Sequence, residues 1–394
     1  MQHALSGIRV LDITQVMAGP YCAMLLCDMG ADVIKLEPPA GDSTRRMAGA
    51  RGGDSPGFNA VNRGKRGIVV DIKHEQGRHV VARLASTADV LVENYRPGAM
   101  ARAGLGYEQL RAVNPRLVYA SISGYGQTGP HGGRGGFDLV AQGVSGIMSV
   151  TGEPDRPPVK AGVPLTDLGA SLFAVAGVLA ALHDRQRTDA GQHVDTSLVE
   201  AGVALSVWEA TEYLSSGRVP QPLGSAHRMS APYQALECAD GYITVGAAND
   251  KLFARLSALL GHPEWVGDPQ FEDDTARVAN RRALADRIEQ VTRTRPRQHW
   301  LARFEAEGIP CGPINTYADV LTDEQITARE MVVETHHPTL GKLRTLGTPL
   351  KLSRTPLATG RPAPLLGQHT MEVLREAGYS EADVAELRAA GAVR

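Results

Sequence analysis

Short apolar runs alternate with helix-forming segments over the first 125 residues, and no other feature of the chain restricts its fold as much. We interpret five of the apolar runs as β-strands, at residues 8–13, 32–37, 68–71, 89–93 and 116–122. Helices are predicted between strands, one starting at Gly19-Pro20 and another at about Glu75. Strands that alternate with helices in this way form a mostly parallel sheet with helices on its faces. We therefore predict an α/β fold whose ligands bind beyond the carboxyl ends of the strands.

Two loops at this predicted edge of the sheet narrow the class of ligand. Residues 14–20 (TQVMAGP) follow the first strand, where dinucleotide-binding folds carry a GxGxxG sequence. A nicotinamide-dependent dehydrogenase is therefore disfavoured. Residues 124–130 (GYGQTGP) follow the last strand of the series and form either a binding loop or an ordinary glycine turn.

The composition argues against several other classes of protein. A length of 394 residues suggests two domains, or one large domain with a smaller one inserted. A net charge of −2 and an aromatic content of 5% disfavour nucleic acid or an anionic membrane surface as a partner. The four cysteines lack the spacing of a zinc site, and the amino-terminal residues lack the features of a signal peptide. We expect a cytoplasmic protein without a bound metal ion.

Asp167 stands where an extended segment ends and an apolar helix begins. Pro164 favours an extended entry, and the apolar residues between Leu168 and Leu182 recur at roughly helical spacing. This run is rich in alanine and glycine, and we interpret it as a core helix of a soluble protein. An aspartate at a helix N-terminus can accept the first amide hydrogens, and the helix dipole favours its ionised form. Asp167 is therefore either a helix cap or a reactive carboxylate.

The second half of the chain has the pattern of a smaller domain. Two short strands are predicted around a turn at 239–241. Three helices are predicted after them, at residues 251–260, 280–293 and 297–308. A helix at 199–214 and a proline-rich segment at 220–224 come before these elements. A further helix, a strand pair near 332–352 and two terminal helices are predicted to complete the chain.

Several separated motifs, each weak alone, occur together in one specific order. They are 11–12 (LD), 18–20 (AGP), 30–37 (GADVIKLE), 41–45 (GDSTR), 62–66 (NRGKR), 89–98 (DVLVENYRPG), 124–126 (GYG), 192–197 (QHVDTS), 308–313 (GIPCGP) and 366–370 (LGQHT). With them the chain resembles the class III CoA-transferases, the CaiB/BaiF or formyl-CoA transferase family, over nearly its whole length. The resemblance implies an obligate, interlocked homodimer with a Rossmann-like large domain built from both chain ends and a small α+β domain. The implied limits are 1–186 for the first part of the large domain, 187–224 for a linker, 225–317 for the small domain and 318–394 for the return linker and the rest of the large domain.

The resemblance also implies an activity, the transfer of CoA from an acyl-CoA to a carboxylic acid, with no permanently bound cofactor. Asp167 falls where the family carries its catalytic aspartate, which would attack the thioester and become an aspartyl-CoA thioester. The loop that contains Gln15, Val16, Met17 and Ala18 would supply backbone hydrogen bonds to the oxyanion that forms.

Recognition of CoA requires contacts with its phosphates and its adenosine. The resemblance places Asn94 and Tyr95 beside the nucleotide. Four cationic side chains are candidate ligands of the phosphates. Lys73 and Arg102 are the first candidates, and Arg45 and Lys65 are the second. The alternative for each cation is a solvated surface charge.

The chain departs from formyl-CoA transferases at two places. Met17 stands where those enzymes have Gln, and residues 224–233 replace their glycine-rich loop, which disfavours exchange between formate and oxalate. His227 and Arg228 lie in this segment and could anchor a carboxylate, since arginine binds carboxylates with two hydrogen bonds. Residues 226–246 look most like the succinate–glutarate branch, so we expect a dicarboxylic substrate such as succinate, glutarate or an unsaturated C5 diacid. The alternative is that Arg228 is an ordinary loop residue.

Two other functions are alternatives to CoA transfer. The α-methylacyl-CoA racemases share the fold and move an α-proton between a His and an Asp, but Phe137 stands where that His is expected. His131 would need a displaced loop to replace it, and Phe137 is instead a candidate substrate contact. A CoA-binding protein without catalysis is the second alternative, and the presence of Asp167 argues against it.

Overall fold

The structure, a computed structural model, describes residues 2–50, 52 and 54–394, and the chain divides into two compact units. The first unit comprises residues up to Ile147, Lys160–Leu214 and Glu324–Arg394, so both ends of the chain belong to it. The second comprises Met148–Val159 and Ser215–Asp323. The domain limits implied by the resemblance, including the linker at 187–224, stay a prediction.

Eleven strands are formed by the described residues: β1 (Arg9–Asp12), β2 (Asp32–Glu37), β3 (Arg66–Val69), β4 (Val90–Glu93), β5 (Val118–Ser123), β6 (His193–Ser197), β7 (Tyr233–Cys238), β8 (Gly241–Gly246), β9 (Cys311–Pro313), β10 (Val332–His337) and β11 (Gly341–Leu346). The first six form one sheet in the order β3-β2-β1-β4-β5-β6, in which every neighbouring pair is parallel. The α/β prediction and its five strands are confirmed. The sixth strand was not predicted, because its residues HVDTS are too polar to read as an apolar run.

The helices of the described residues are α1 (Ala18–Asp28), α2 (Pro56–Asn62), α3 (Glu75–Ala85), α4 (Ala99–Arg102), α5 (Tyr107–Val113), α6 (Asp138–Val144), α7 (Ile147–Val150), α8 (Leu165–Thr188), α9 (Leu198–Leu205), α10 (Val207–Ser216), α11 (Asp250–Leu259), α12 (Asp274–Ala279), α13 (Arg281–Thr292), α14 (Arg297–Ala306), α15 (Tyr317–Val320), α16 (Glu324–Ala328), α17 (Thr370–Glu376) and α18 (Glu381–Ala389). Short 3₁₀ turns occupy Ser43–Arg46 and Pro263–Gly267.

The six-stranded sheet is buried on both faces, which explains why its central strands are apolar at successive positions. Val10 of β1 packs in one core with residues of α1, α8 and α9. Leu11, the next residue, packs in the opposite core with residues of α3, α5, α17 and α18. Since successive side chains of a strand point to opposite faces, helices on both sides require apolar residues at both positions.

Helix α8 is the longest helix that the structure describes. Its 24 residues are long and apolar enough to cross a membrane, but half of its most apolar 18-residue window is buried within the protein. Ala170, Ala174 and Val178 lie in the core that α8 shares with α1 and the sheet. The helix is therefore packed as a core element of the first unit.

The second unit has a core of its own. Strands β7, β8 and β9 form an antiparallel sheet, and α11, α13 and α14 contribute apolar residues to the same core. Leu236, Phe253 and Trp300 are among its buried side chains. The two strands around the turn and the three helices predicted for this region are confirmed, whereas β9 was not predicted.

Candidate active site

The order of the strands reverses between β1 and β4, and the predicted binding residues gather at that place. Strands β2 and β3 lie on one side of this pair, and β5 and β6 lie on the other. In open α/β sheets, ligands bind in the crevice beyond the carboxyl ends of the strands at such a switch point. The Gln15 amide donates to Asn94 Oδ1 at 2.9 Å, and Asn94 Nδ2 donates to the Gln15 carbonyl at 2.8 Å. This reciprocal pair joins the loops that follow β1 and β4.

Tyr95 and Glu93 continue the same site at the end of β4. The buried Glu93 carboxylate accepts the Tyr95 amide at 2.8 Å. Burial raises the pKa of Glu93 to about 6, although hydrogen bonds from Ser121 and Tyr95 act to lower it. Burial also raises the pKa of the Tyr95 phenol, and a hydrogen bond with the Gln15 side chain opposes that shift. Tyr95 thus lies against the loop after β1.

The loop after β1 holds an unusual backbone conformation at Val16. Its φ is +70°, in the left-handed region that a β-branched residue seldom adopts and that costs on the order of 1–3 kcal/mol. The Val16 amide donates to Asp42 Oδ1 at 3.4 Å. The next two amides, of Met17 and Ala18 at the start of α1, donate to no group among the residues that the structure describes. They are therefore available to a ligand.

Asp167 lies beside this loop because Ser171 joins α8 to α1. The Ser171 hydroxyl, which is fully buried, lies 2.6 Å from the carbonyl oxygen of Ala18 and 2.7 Å from that of Asp167. One side chain therefore ties the turn of α8 that carries Asp167 to the first residue of α1.

The first amides of α8 bind to Asp138 of α6, and not to Asp167. Asp138 Oδ1 accepts the Thr166 amide at 2.9 Å, the Thr166 hydroxyl at 2.7 Å and the Asp167 amide at 3.5 Å. Asp167 is the third residue of the helix and caps nothing. The interpretation of Asp167 as a helix cap is therefore wrong, because another carboxylate already occupies that position.

The Asp167 carboxylate itself is half-buried and accepts no hydrogen bond from any residue within 2–50, 52 and 54–394. Burial, and then the charge of Asp138, raise its pKa to about 6. This shift is opposite to the one expected from the helix dipole alone, since Asp138 already satisfies the helix terminus. At pH 7 the ionised form still exceeds the protonated form roughly tenfold.

Phe137 directly precedes Asp138 and is 75% exposed, so the position where a racemase would carry its histidine holds an exposed aromatic ring. Close packing explains why Gly124 and Gly136, on the two chain segments that meet here, are glycines. A Cβ on Gly136 would lie 2.5 Å from the Gly124 Cα atom. Glycine at these two positions is thus required where the loop after β5 passes the chain leading to α6.

The four candidate phosphate cations differ in availability. Lys73, after β3, and Arg102, in α4, are exposed and form no ion pair with a described residue, so their role stays a prediction. Arg45 and Lys65 are buried, and the prediction that they bind phosphate is wrong. Arg45 pairs with Glu37 and Asp54, and Lys65 pairs with Asp12. Their charges are already neutralised inside the protein.

Lys65 belongs to a buried polar network beneath the loop after β1, which the sequence reasoning missed. Lys35 Nζ donates to the Thr14 carbonyl at 2.5 Å and to Asp42 Oδ2 at 3.1 Å. Lys65 Nζ donates to Asp12 Oδ2 at 2.7 Å, and Asp12 Oδ1 accepts the Thr14 amide at 3.0 Å. Burial by itself would raise the pKa of Asp12, but the charges of Lys35 and Lys65 lower it to about 2. The sequence did carry a signal for this network, namely charged residues inside otherwise apolar strands.

His227 and Arg228 belong to the second unit, and their predicted role in substrate binding stays a prediction. The His227 ring stacks on Tyr233 with 4.8 Å between centroids. Its Nδ1 accepts the Met229 amide at 3.2 Å. The Arg228 guanidinium donates to the Gln221 carbonyl at 2.9 Å. Both side chains thus have local contacts that fix this segment.

The arrangement in the first unit offers a carboxylate and two amides that form no hydrogen bond with a described residue, which suits acyl transfer by a carboxylate nucleophile. Residues 5–370 match CoA-transferase family III. The chain belongs to this family. Within the described part of the chain, no three His, Cys, Asp or Glu side chains are placed to hold a metal ion.

Three known proteins illustrate how close the similarity is. The succinyl-CoA:glutarate CoA-transferase of Mus musculus is 40% identical over 392 residues, which is 99% of this chain and 90% of that protein. The succinate–glutarate CoA-transferase of Agrobacterium fabrum is 40% identical over 380 residues, covering 94% of this chain and 95% of the other. A crystal structure of a CaiB/BaiF family protein from Brucella suis has a TM-score of 0.85 and 41% identity, covering 96% of this chain and 100% of that one. This class III CoA-transferase therefore shares both sequence and fold with the family along nearly its whole length.

Proposed function

We propose that this class III CoA-transferase moves CoA from a dicarboxylyl-CoA, with succinyl-CoA as the first candidate, to a carboxylic acid through a CoA thioester of Asp167. The observation that carries this proposal is the Asp167 carboxylate, which accepts no hydrogen bond from a described residue and belongs to the turn of α8 that Ser171 ties to the start of α1. The choice of donor follows the relatives from mouse and Agrobacterium, whose names specify succinate and glutarate. Arg228 remains the candidate anchor for the second carboxylate of a diacid.

In the first step, an Asp167 oxygen attacks the thioester carbonyl carbon, and the oxyanion that forms can accept hydrogen bonds from the Met17 and Ala18 amides. The C–S bond then breaks, which yields a mixed anhydride and the CoA thiolate. The thiolate attacks the carbonyl carbon of Asp167, the anhydride C–O bond breaks, and the donor leaves as its carboxylate. The acceptor carboxylate then attacks the aspartyl-CoA thioester, and the same steps in reverse release the new acyl-CoA. No proton or electron is gained or lost overall.

The raised pKa of Asp167 suits this chemistry. A carboxylate that is more basic is a stronger nucleophile, and one with a pKa of about 6 is still mostly ionised at pH 7. The mixed anhydride would hydrolyse in contact with water, so the mechanism also requires that the bound acyl-CoA cover this half-buried carboxylate.

The covalent intermediate can be tested by intact-protein mass spectrometry after mixing with succinyl-CoA. We expect an added mass equal to CoA less one water, which hydroxylamine removes and which Asp167→Ala does not acquire. Asp184→Ala is the matched control, because Asp184 lies toward the other end of the same helix and pairs with Arg187. The control should acquire the adduct as the wild type does.

The opposite result is also informative. Absence of any adduct with several acyl-CoAs, together with exchange of the α-hydrogen in deuterated water, would overturn the transferase mechanism in favour of a racemase. Absence of both signals would instead indicate a protein that binds CoA without this chemistry.

We also propose that the enzyme is a homodimer. Helices α6, α8 and α9 contact one another and expose apolar side chains that a solvated surface seldom carries together: Leu139, Val140, Val144, Leu172, Val203 and Leu205. A second copy of the chain would cover this apolar face, as the interlocked arrangement implied by the family resemblance requires.

The dimer can be tested by light scattering coupled to size-exclusion chromatography. We expect twice the chain mass for the wild type, and dissociation or aggregation for the double variant Val144→Glu/Leu172→Glu, since each glutamate places a charge where an apolar contact is proposed. Val113→Glu is the control, because Val113 is as exposed as Val144, at 56%, but lies on α5. A monomeric wild type would contradict the proposal.

A further inference from the structure

Asp138 is placed to govern the reactivity of Asp167 without touching the substrate. It is the first residue of α6, and one of its oxygens accepts two amides in the first turn of α8, of Thr166 at 2.9 Å and of Asp167 at 3.5 Å. The same oxygen accepts the Thr166 hydroxyl at 2.7 Å. A carboxylate from another helix thus occupies the positive end of α8, which carries the reactive residue.

Gln142, one turn further along α6, fixes the orientation of Asp138. It is fully buried, and its Nε2 donates to Asp138 Oδ2 at 2.7 Å. Its Oε1 accepts the Ala161 amide at 2.8 Å. Asp138 and Gln142 therefore hold the segment that leads into α8, and both Asp138 oxygens are engaged.

The position of Asp167 explains why this arrangement matters. An acidic residue at the third position of a helix can turn back to hydrogen-bond with an amide at the start of that helix. Pro164, the residue before α8, has no amide hydrogen, so the donors at this end are the amides of the first turn. Such a bond would withdraw charge from the carboxylate and hold it away from an incoming thioester. Asp138 occupies two of these amides, those of Thr166 and Asp167, and the Asp167 carboxylate accepts no hydrogen bond from a described residue.

We propose that Asp138 is a positioning residue of this CoA-transferase: by binding the first amides of α8 it withholds them from Asp167, whose carboxylate stays free to attack the thioester. The proposal rests on the nucleophilic role proposed above for Asp167. It adds that a second carboxylate is needed to keep the nucleophile reactive.

The charge of Asp138 contributes to the same effect. After burial, it is the one charge among the described residues that acts on the pKa of Asp167, and it raises it. The other titratable groups near α8 are placed differently. On helix α1 these groups are Tyr21, Cys22 and Cys27. On α9 the group is Glu200, whose carboxylate accepts a hydrogen bond from the Ser197 hydroxyl. Strands β5 and β6 carry Tyr119, His193 and Asp195 on the face of the sheet opposite to α8. Removing the charge of Asp138 should therefore lower the pKa of Asp167.

The test compares Asp138→Ala and Asp138→Asn with the wild type in the absence of substrate, because asparagine removes the charge but keeps an oxygen that can accept the amides, whereas alanine removes both. A carbodiimide labels protonated carboxyl groups, so the labelling of Asp167, followed by peptide mass mapping from pH 4 to 8, reports its titration. We expect the midpoint to lie lower by about one pH unit in Asp138→Ala, and to lie between that value and the wild-type value in Asp138→Asn. In Asp138→Ala, the rate of adduct formation from succinyl-CoA at pH 7 should fall several-fold, since a carboxylate that accepts hydrogen bonds from the freed amides is less nucleophilic.

Asp184→Asn is the matched control, because it removes a carboxylate from the same helix as Asp167 that pairs with Arg187 and does not act on the pKa of Asp167. Its labelling midpoint should stay near that of the wild type, and thermal unfolding verifies that all variants are folded. Equal midpoints in Asp138→Ala and Asp138→Asn, or no shift in either, would overturn the proposal. A shifted midpoint without adduct formation by the wild type would support the effect of Asp138 on Asp167 and reject the proposed mechanism.

Discussion

Replacement of Asp167 by asparagine should lower kcat for CoA transfer at least about ten-thousand-fold, the scale on which removal of a covalent nucleophile acts. Asparagine keeps the shape of the side chain, but its amide is not a nucleophile and cannot form the anhydride. KM for the acyl-CoA should change little, because Gln15, Asn94 and Tyr95 keep their contacts with one another. Separation of the acyl-CoA products by liquid chromatography measures the rate.

Two further variants sharpen this expectation. Asp167→Glu keeps the charge but displaces the carboxylate by one methylene, and we expect a loss of about a hundredfold, as for a reacting group misplaced by roughly 1 Å. Asp184→Asn removes a carboxylate near the other end of the same helix and should leave the rate unchanged. A rate for Asp167→Asn within tenfold of the wild type would exclude Asp167 as the nucleophile.

The sheet could be predicted because most of its strands are marked by a short apolar run in the sequence. Buried parallel strands need apolar residues at successive positions, and runs such as VIKL in β2 and VLV in β4 carry that signal in the sequence. β6 has no such run. Its residues alternate between Val194, which packs on the α8 side, and the polar His193 and Asp195, so only its pairing with β5 defines it as a strand.

Part of the site could be predicted because the loops that follow the predicted strands could be located in the sequence. The loops after β1 and β4 could be placed at one edge of the sheet, and the pairing of Gln15 with Asn94 at that edge agrees with this placement. Which carboxylate would cap α8 could not be predicted. Asp138 and Thr166 are 28 residues apart, and their hydrogen bond depends on how α6 packs against α8. Sequence spacing therefore suggested Asp167 as the cap, whereas tertiary packing assigns that role to Asp138.

The assignment of buried cations failed because a lysine or arginine in a sequence does not reveal its partner. Lys65 lies four residues before the end of β3, in a motif where it could equally face solvent or phosphate. Its partner Asp12 is 53 residues away, and both side chains are fully buried. Only the packing of β1, β3 and α2 shows that this charge supports the loop of the active site from below.

Lys65→Met should therefore destabilise the protein by about 3–5 kcal/mol, the usual cost of breaking a buried ion pair by removal of one partner. Methionine fills the volume, but the Asp12 carboxylate, the Asn62 amide oxygen and the Pro20 carbonyl each lose a donor at 2.7–2.9 Å. The loss exceeds that of most single substitutions because a charge is left in the interior without its nearest counter-charge. Urea denaturation followed by circular dichroism measures it.

The pH dependence and a double variant separate the charge effect from loss of packing. In the wild type, the pKa of Asp12 is lowered from 3.8 to about 2, so the ion pair stabilises the fold above pH 4 and loses that contribution as the pH falls toward 2. In Lys65→Met, Asp12 can take up a proton at higher pH, and its deficit relative to the wild type should shrink below pH 4. Asp12→Asn/Lys65→Met removes both charges and should recover part of the lost stability. If the double variant is as unstable as Lys65→Met, and the deficit does not depend on pH, then the pair acts through packing, and the loop that carries Val16 does not depend on its charge.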